Sequence, residues 1–451
     1  MEMKIKFLGA AGTVTGSSYV LTSGSGQSIL IDLGMFQGPE TEDRLNYEPY
    51  DYDPSKLSGA ILTHAHLDHC GRLPILSSKG FTGDIWMTAP TRDLTEISLL
   101  DSAKIAKQDG KPFLYNKERA EKTIGQFKTT EYRKPVTIGE FTVTFRDAGH
   151  ILGSASVEIE DKNSGSEIRK IVFSGDLGNT PEDLLMETEL IAEADAVVME
   201  STYGDKLHPK NDPSYDIRKE INAIEISGGT LLIPSFSLDR TQEVLHIIKH
   251  LKQDRKVLAE TPVYMDGPMA QKATFVYNNY TSIFNSHIQG DFKSGNPFEF
   301  PGLTVIPGWK ESQALHTQNG PKVIIAGSGM MVGGRIVGHA AFYLPIASTR
   351  LFIVGYQGVE TLGRSLQEGD KQVVIGGIKT TVNATVGSTR SMSSHADQGQ
   401  LMNWLKHIKD VKKVFITHGE DVSRTALSAK ISEDLGIKDI FLPVLNQEIE
   451  F

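Results

Sequence analysis

Residues 64–69 read H-A-H-L-D-H and follow directly on the apolar run GAILT, residues 59–63. Three histidines and an aspartate in six positions are poor core material, because each ring nitrogen and carboxylate oxygen removed from water needs a partner. They suit metal binding better. Imidazole nitrogen and carboxylate oxygen are ligands for zinc, and donors on a loop leaving a strand can converge on two neighbouring points. Four residues cannot fill two such sites. Further donors stand behind other apolar β runs: His150 in DAGHILGSA, Asp176 in FSGDLG and His418 in FITHGE. Asp176 is the natural bridge, since a carboxylate has two oxygens to divide between two cations. Taken singly, His208, His246, His250, His287, His316 and His407 read as ordinary surface or capping histidines.

Strands must present these donors. In the first third, KIKFLG, SSYVLT and SILIDLG read as consecutive strands, GAILTHAH as a strand followed by a short helix starting near Asp68, and residues 93–108 as a helix. Strands return at FTVTFRDAGH, SASVEIE, KIVFSGD and DAVVMEST. After about residue 204 helices alternate with strands: SYDIRKEINAIEI, GGTLLIPSF, then a helix in which Leu238, Val244, Leu245, Ile248 and Leu251 share one stripe. The strands VYMDG, KVIIAG and RLFIVGY continue that βαβ pattern, which implies a parallel sheet. From about 389 the chain returns to a helix, QGQLMNWLKHI, and a strand, KKVFITHGE. The expected fold is α/β, one domain formed by 1–203 and 389–451 and interrupted by another at 204–388.

Bulk composition narrows the class. At 451 residues two or three domains are expected. A hydrophobic content of 39% with 23% charged residues is that of an ordinary soluble globular protein. The sequence shows no bilayer-spanning apolar stretch and no signal-peptide layout, so no membrane partner and a cytoplasmic location are expected. The single cysteine, Cys70, leaves no internal disulfide and fits a reducing compartment. A net charge of -10 argues against non-specific coating of nucleic acid. It allows a local basic groove: between 309 and 391 eight Lys and Arg stand against four acids. In the same region KVIIAGSGMMVGGRIVGH has the strand, Gly-rich loop and helix order that offers backbone N–H groups to an anion, with Ser328, Gly329 and Arg335 as candidate phosphate contacts. His339 reads as a packed helix-face histidine.

ILTHAHLDHCGRLP, DAGHILGSA, VFSGDLGN and MESTYGD, in this order, resemble the metallo-β-lactamase superfamily. SSHAD at 393–397 and THGE at 417–420 narrow the resemblance to its β-CASP nucleic-acid-processing branch, which includes the endonuclease of eukaryotic pre-mRNA 3′-end cleavage and many bacterial and archaeal ribonucleases. PSFSLDRTQEVL and YMDGPMA, in the insert, are similar to it as well. The resemblance implies an αββα metallo-β-lactamase sandwich interrupted by an inserted parallel-sheet β-CASP domain. It also implies one zinc held by His64, His66, His150 and Asp176 and a second held by Asp68, His69, Asp176 and His418. Asp32, in LIDLG, matches a motif whose carboxylate orients a ligand histidine by a hydrogen bond. Asp68, Glu200 and His395 fall on catalytic positions, with His395 as general acid and Glu200 as its orienting, charge-stabilising partner.

The reaction so implied is hydrolysis of phosphodiester bonds in single-stranded RNA, mainly endonucleolytic, with a zinc-bridging hydroxide as nucleophile. Two Zn²⁺ ions are expected, manganese being less suited to a His-rich ligand set. A small-molecule metallohydrolase acting on thioesters, lactones or phosphodiesters would share the metal ligands but would need neither His395, Glu200 nor the insert. A non-catalytic RNA-binding subunit would be expected to lack several ligands. Neither KH domains, as in some archaeal relatives, nor the extra C-terminal domain of ribonuclease J is recognisable, which argues against assembly into a large processing complex and weakens the case for processive 5′-exonuclease action, while endonuclease-only and mixed activity both stay open. Nothing in the sequence marks a subunit interface, although a homodimer is allowed.

Overall fold

The computed structural model describes residues 2–38, 40–109, 114–161, 168–180 and 183–451. Two compact units emerge: residues 1–207 with 395–451, and residues 208–394. The unit borders lie a few residues beyond 203 and 388. Residues 203–206 stay with the first unit because Tyr203 bridges Asp397, and Gln398 donates through its backbone to Lys206 O and through its side chain to Gly204 O.

The first unit holds two seven-stranded sheets. In one, Lys4–Phe7 lies between Glu448–Glu450 and Ser18–Thr22, antiparallel to both. Ser28–Leu33 follows, antiparallel to Ser18–Thr22; Leu57–Ile61, Ile85–Thr88 and Phe127–Thr130 then continue in parallel. Alternation decides which side of a strand is buried: in Lys4–Phe7, Ile5 and Phe7 are buried while Lys4 and Lys6 are only partly covered. The second sheet aligns Asp439–Phe441, Lys413–Ile416, Ala196–Met199 and Lys170–Phe173 in parallel. Its other edge is the antiparallel series Ala155–Asp161, Phe141–Asp147 and Val136–Ile138.

Apolar residues from both sheets form a common core, including Ile5, Phe7, Leu21, Ile31, Phe145, Val157, Phe173 and Phe415. Phe7 and Phe415 meet across it with ring centroids 5.6 Å apart. Burying one such side chain contributes about 1.5–3 kcal/mol. The outer face of the first sheet is covered by Leu73, Leu76, Leu99 and Ala120, and that of the second by Leu401, Trp404, Leu405, Leu427 and Ile431. Helices Ala89–Asp109, Gln398–His407 and Asp421–Leu435 supply much of that cover. The layers are therefore helix, sheet, sheet, helix.

The second unit is built on a six-stranded sheet ordered Leu303–Val305, Val263–Asp266, Lys322–Ala326, Thr230–Pro234, Arg350–Ile353 and Thr385–Ser388. Every pairing in it is parallel. Residues 372–381 add a hairpin turned by Gly376 and Gly377, both at positive φ, a backbone twist that suits a two-residue turn. Helix Arg240–Gln253 is buried on nearly every side, but it starts after Leu238. Leu238 therefore packs from the preceding turn rather than from the helical stripe expected of it. No helix among the described residues is long and apolar enough to cross a membrane.

Candidate metal centre

Parallel strands end on the same edge, and that is where the donors collect. His64–His69 leave Leu57–Ile61, Asp176 follows Lys170–Phe173, Glu200 follows Ala196–Met199 and His418 follows Lys413–Ile416. His150 lies beyond Phe141–Asp147. His395 is placed by its bridge to Gly178 and by helix Gln398–His407. Asp397 of the SSHAD segment caps that helix: its carboxylate accepts from Gln400 N, and Gln400 Oε1 accepts from Asp397 N, both at 2.9 Å. Close backbone approach matters at Gly34, where a Cβ would lie 1.5 Å from Asp68 O. Only glycine lets the first ligand loop sit against the end of Ser28–Leu33.

Two pockets result. In the first, His66 Nδ1 lies 3.1 Å from His64 Nε2 and 3.2 Å from His150 Nε2. Asp176 Oδ2 stands 3.5 and 3.6 Å from those same two Nε2 atoms. In the second, Asp176 Oδ1 is 3.3 Å from His69 Nε2 and 3.6 Å from His418 Nε2, which is itself 3.5 Å from Asp68 Oδ2. Two ligands about 2.0–2.1 Å from one tetrahedral ion stand roughly 3.3 Å apart, so both pockets have the spacing a zinc-sized cation requires. Polar satisfaction gives an independent test. His69 Nε2, His418 Nε2 and both Asp176 oxygens are buried without a hydrogen-bond partner. Each such atom costs about 1–3 kcal/mol unless something compensates, and one cation in each pocket would compensate all four.

The rings are held from behind. Asp32 Oδ2 accepts from His69 Nδ1 at 2.7 Å and from the Thr63 hydroxyl at 2.8 Å, while Oδ1 accepts from Thr63 N. The Thr63 hydroxyl also lies 3.1 Å from His64 Nδ1, and the Thr202 hydroxyl 3.1 Å from His418 Nδ1. Neither Thr63 nor Thr202 is singled out by the sequence motifs; the signal for them is position, Thr63 directly before His64 and Thr202 two residues after Glu200. Asp32 and His418 take left-handed backbone conformations, φ 54 and 46, which cost on the order of 1–3 kcal/mol and persist where the surroundings fix them.

Electrostatics fit cation binding. Burial, reinforced by neighbouring histidines, holds His64 well below its ordinary pKa and lowers His66 to about 4, so both rings are neutral donors. Burial also works against a charged His69, but Asp176 and Asp32 outweigh it and raise its pKa well above the usual value. That position draws positive charge, as a proton or as a metal ion. Replacing Asp32 with Asn is expected to weaken metal affinity about 10–100-fold, chiefly in the pocket containing His69; competition with a chromophoric chelator reads the change.

Beside the pockets, His395 Nδ1 lies 3.2 Å from Glu200 Oε1 and 4.0 Å from Asp176 Oδ2. Glu200 is buried and fixed by Leu177 N at 2.7 Å and Thr202 N at 3.2 Å. The residues expected to grip phosphate are arranged differently. The Ser328 hydroxyl donates to Gly333 O and accepts from Val332 N, closing its own turn, and Gly329 O accepts from Gln357. Arg335 pairs with buried Asp266 and donates to Ile306 O rather than presenting an open guanidinium. His339 is buried against the same Asp266 at 2.7 Å. Arg350 is paired with Glu220, and Lys322 donates to carbonyls of Gln318 and Gly320, so several charges of the basic segment serve internal contacts.

Family models match in three stretches: the metallo-beta-lactamase superfamily over residues 11–217, the Beta-Casp domain over 241–366, and the Zn-dependent metallo-hydrolase RNA specificity domain over 379–443. The chain is 36% identical to "Ribonuclease TTHA0252" of Thermus thermophilus over 94% of its length and 95% of that protein's. It is 32% identical to "RNase aCSPSF2" of Saccharolobus solfataricus, covering all of this chain and 85% of the relative. Identity to "Transcription termination factor FttA" of Methanosarcina mazei is 30%, over 97% of this chain and 70% of that protein. A crystal structure of a protein of unknown function from Enterococcus faecalis shares the fold over both full chains, with TM-score 0.56 and 12% identity. The donor clusters at the strand ends and these matches lead to one assignment: the chain belongs to the β-CASP branch of the metallo-β-lactamase superfamily.

Proposed function

We propose that the protein is a two-zinc ribonuclease that hydrolyses phosphodiester bonds in single-stranded RNA, mainly at internal positions. The observation that carries this reading is the His395–Glu200 pair beside two pockets sharing Asp176. When bound, two zinc ions would lower the pKa of water toward neutrality and offset charge growing on the phosphoryl oxygens. The remaining work falls to the chain. Asp176 and Asp68 bring negative charge to the pockets, while Asp32, Thr63 and Thr202 orient the ligand imidazoles. Glu200 accepts from His395 Nδ1, which leaves the proton on Nε2 as the one to pass to the departing 3′ or 5′ oxygen. A small-molecule esterase has less need of that proton donor, because many of its leaving groups depart unaided. Gly329 would offer its backbone to RNA phosphate, while Ser328, whose N–H and hydroxyl both donate to Gly333 O, and Arg335, through Asp266, hold the loop in place.

The test is an end-labelled single-stranded RNA offered to the zinc-loaded protein beside the same sequence as a duplex. Internal fragments from the single strand, absent with the duplex and abolished by chelator, are the expected result. Turnover of thioester or lactone substrates with intact RNA would replace this reading by the small-molecule one.

A further inference from the structure

The second unit gathers four potential ligands that the sequence scatters over two helices. His246 and His250 lie one turn apart on Arg240–Gln253, and His287 and Asp291 one turn apart on Ser286–Ser294. Each pair therefore shares a helix face. The two faces meet. His246 Nε2 and His250 Nε2 stand 2.8 and 2.7 Å from the same oxygen, Asp291 Oδ2, and 2.9 Å from each other. His287 stacks on His250 with ring centroids 5.5 Å apart and meets His246 edge-on at 5.7 Å. One donor atom from each of the four lies within 4.8 Å of all the others.

Hydrogen bonding alone handles this arrangement poorly. If both nitrogens donate to Asp291, two N–H groups converge within 2.9 Å of nitrogen separation. If one ring accepts from the other instead, Asp291 Oδ2 gives up one of its two short contacts. A cation would use every lone pair at once, the contacts of 2.7–2.9 Å opening by a few tenths of an ångström to the roughly 3.3 Å that tetrahedral ligands keep. The side chain of His246 is 1% exposed, those of Asp291 and His250 are 19% and 34% exposed, and His287 is open to solvent. An ion could reach such a site and exchange from it.

We propose that His246, His250, His287 and Asp291 bind one zinc-class divalent cation, an additional metal site within the inserted unit. Three imidazoles and one carboxylate suit zinc, nickel or copper and suit magnesium or calcium poorly. The ion clips Ser286–Ser294 to Arg240–Gln253. The clipped helix has nine residues, too few to hold its conformation alone; besides this site it is held by the Asn285 cap, by Gln289 donating to Phe284 O, by buried Ile288 and by Phe292 against Phe284 and Phe298. Zinc supply then sets how firmly this part of the unit is ordered.

The test uses the full chain, stripped by chelator and dialysed against buffered low-micromolar zinc, with bound metal counted by mass spectrometry. His250→Gln/His287→Gln changes only the two most exposed ligands and is expected to bind one zinc fewer than the parent, with RNA cleavage retained. It should also lose part of the zinc-dependent rise in Tm. Should the double variant fold poorly, His287→Gln alone is expected to weaken that equivalent about tenfold or more in chelator competition. Equal counts and equal Tm shifts in parent and variants would overturn the proposal and leave a hydrogen-bonded cluster. The count is read whether or not the protein cleaves RNA, so it stands apart from the ribonuclease reading.

Discussion

Replacing Asp176 with Asn is expected to slow RNA cleavage by on the order of 10⁴-fold or more and to lower bound metal in parallel. Asp176 faces the donors of both pockets, with Oδ2 toward His64 and His150 and Oδ1 toward His69 and His418. An amide keeps one ligating oxygen and turns the other position into an N–H donor, which cannot bind a cation. One pocket must therefore lose its shared ligand. The fold should survive. Both carboxylate oxygens lack hydrogen-bond partners, and an amide of the same shape fills the same space, so the metal-free protein loses only the attraction between this carboxylate and the histidines around it, His69 and His418 above all. Circular dichroism should be unchanged while metal content and cleavage fall together. An Asn variant with full metal content and full activity would show that this carboxylate does not join the two pockets.

His395→Ala should spare metal binding and cost about 10²–10⁴ in kcat on RNA. The same variant should lose far less on a nitrophenyl phosphodiester, whose leaving group needs no proton. That contrast separates a proton donor from a residue that merely shapes the site. The pH profile provides a second readout. Burial works against an imidazolium at His395, but the Glu200 carboxylate, with Asp176 and Asp68 behind it, more than offsets burial and raises the pKa to about 9. A general acid must be protonated, so activity persists below the folded pKa and falls as pH rises through it. Glu200→Gln removes the largest stabilising charge and should move this alkaline limb to lower pH. Bound cations will shift both limbs down together, so the displacement between parent and variant is the quantity to measure. An unmoved limb would mean that another group supplies the proton.

Much of the centre was legible because its donors are concentrated at the ends of apolar β runs, where an imidazole or a carboxylate, each with two polar atoms to satisfy, has no ordinary reason to be buried. The H-x-H-x-D-H segment, His150, Asp176 and His418 could be picked out on that ground. The supporting hydroxyls could not, since a threonine such as Thr63 or Thr202 is common at strand ends and becomes an orienting group only when an imidazole arrives beside it. Nor could spacing reveal that His66 presents Nδ1 where His64 and His150 present Nε2. Among the strands, most of the longer apolar runs stood out, while the four-residue Ile85–Thr88, Phe127–Thr130 and the three-residue Glu448–Glu450 did not. The last two are edge elements carrying polar side chains, defined by the neighbour they pair with. The histidines of Arg240–Gln253 read as ordinary because their partners, His287 and Asp291, come from a different helix. The Gly-rich loop misled in one respect: Arg335 had an equally good internal use against Asp266, a pairing invisible until the strand ends are set side by side.

The order in which donors occur along the chain has a biological corollary. A ribosome making this polypeptide delivers His64, His66, His150 and Asp176 while the second half of the message is still untranslated. The proposed proton donor, His395, and the last of the proposed ligands, His418, emerge only after the whole interrupting unit. Throughout that interval the nascent enzyme is next to an RNA strand, its own template, yet lacks the parts needed to cut it. On the proposed reading, splitting one domain around another would postpone completion of the site until synthesis is nearly done.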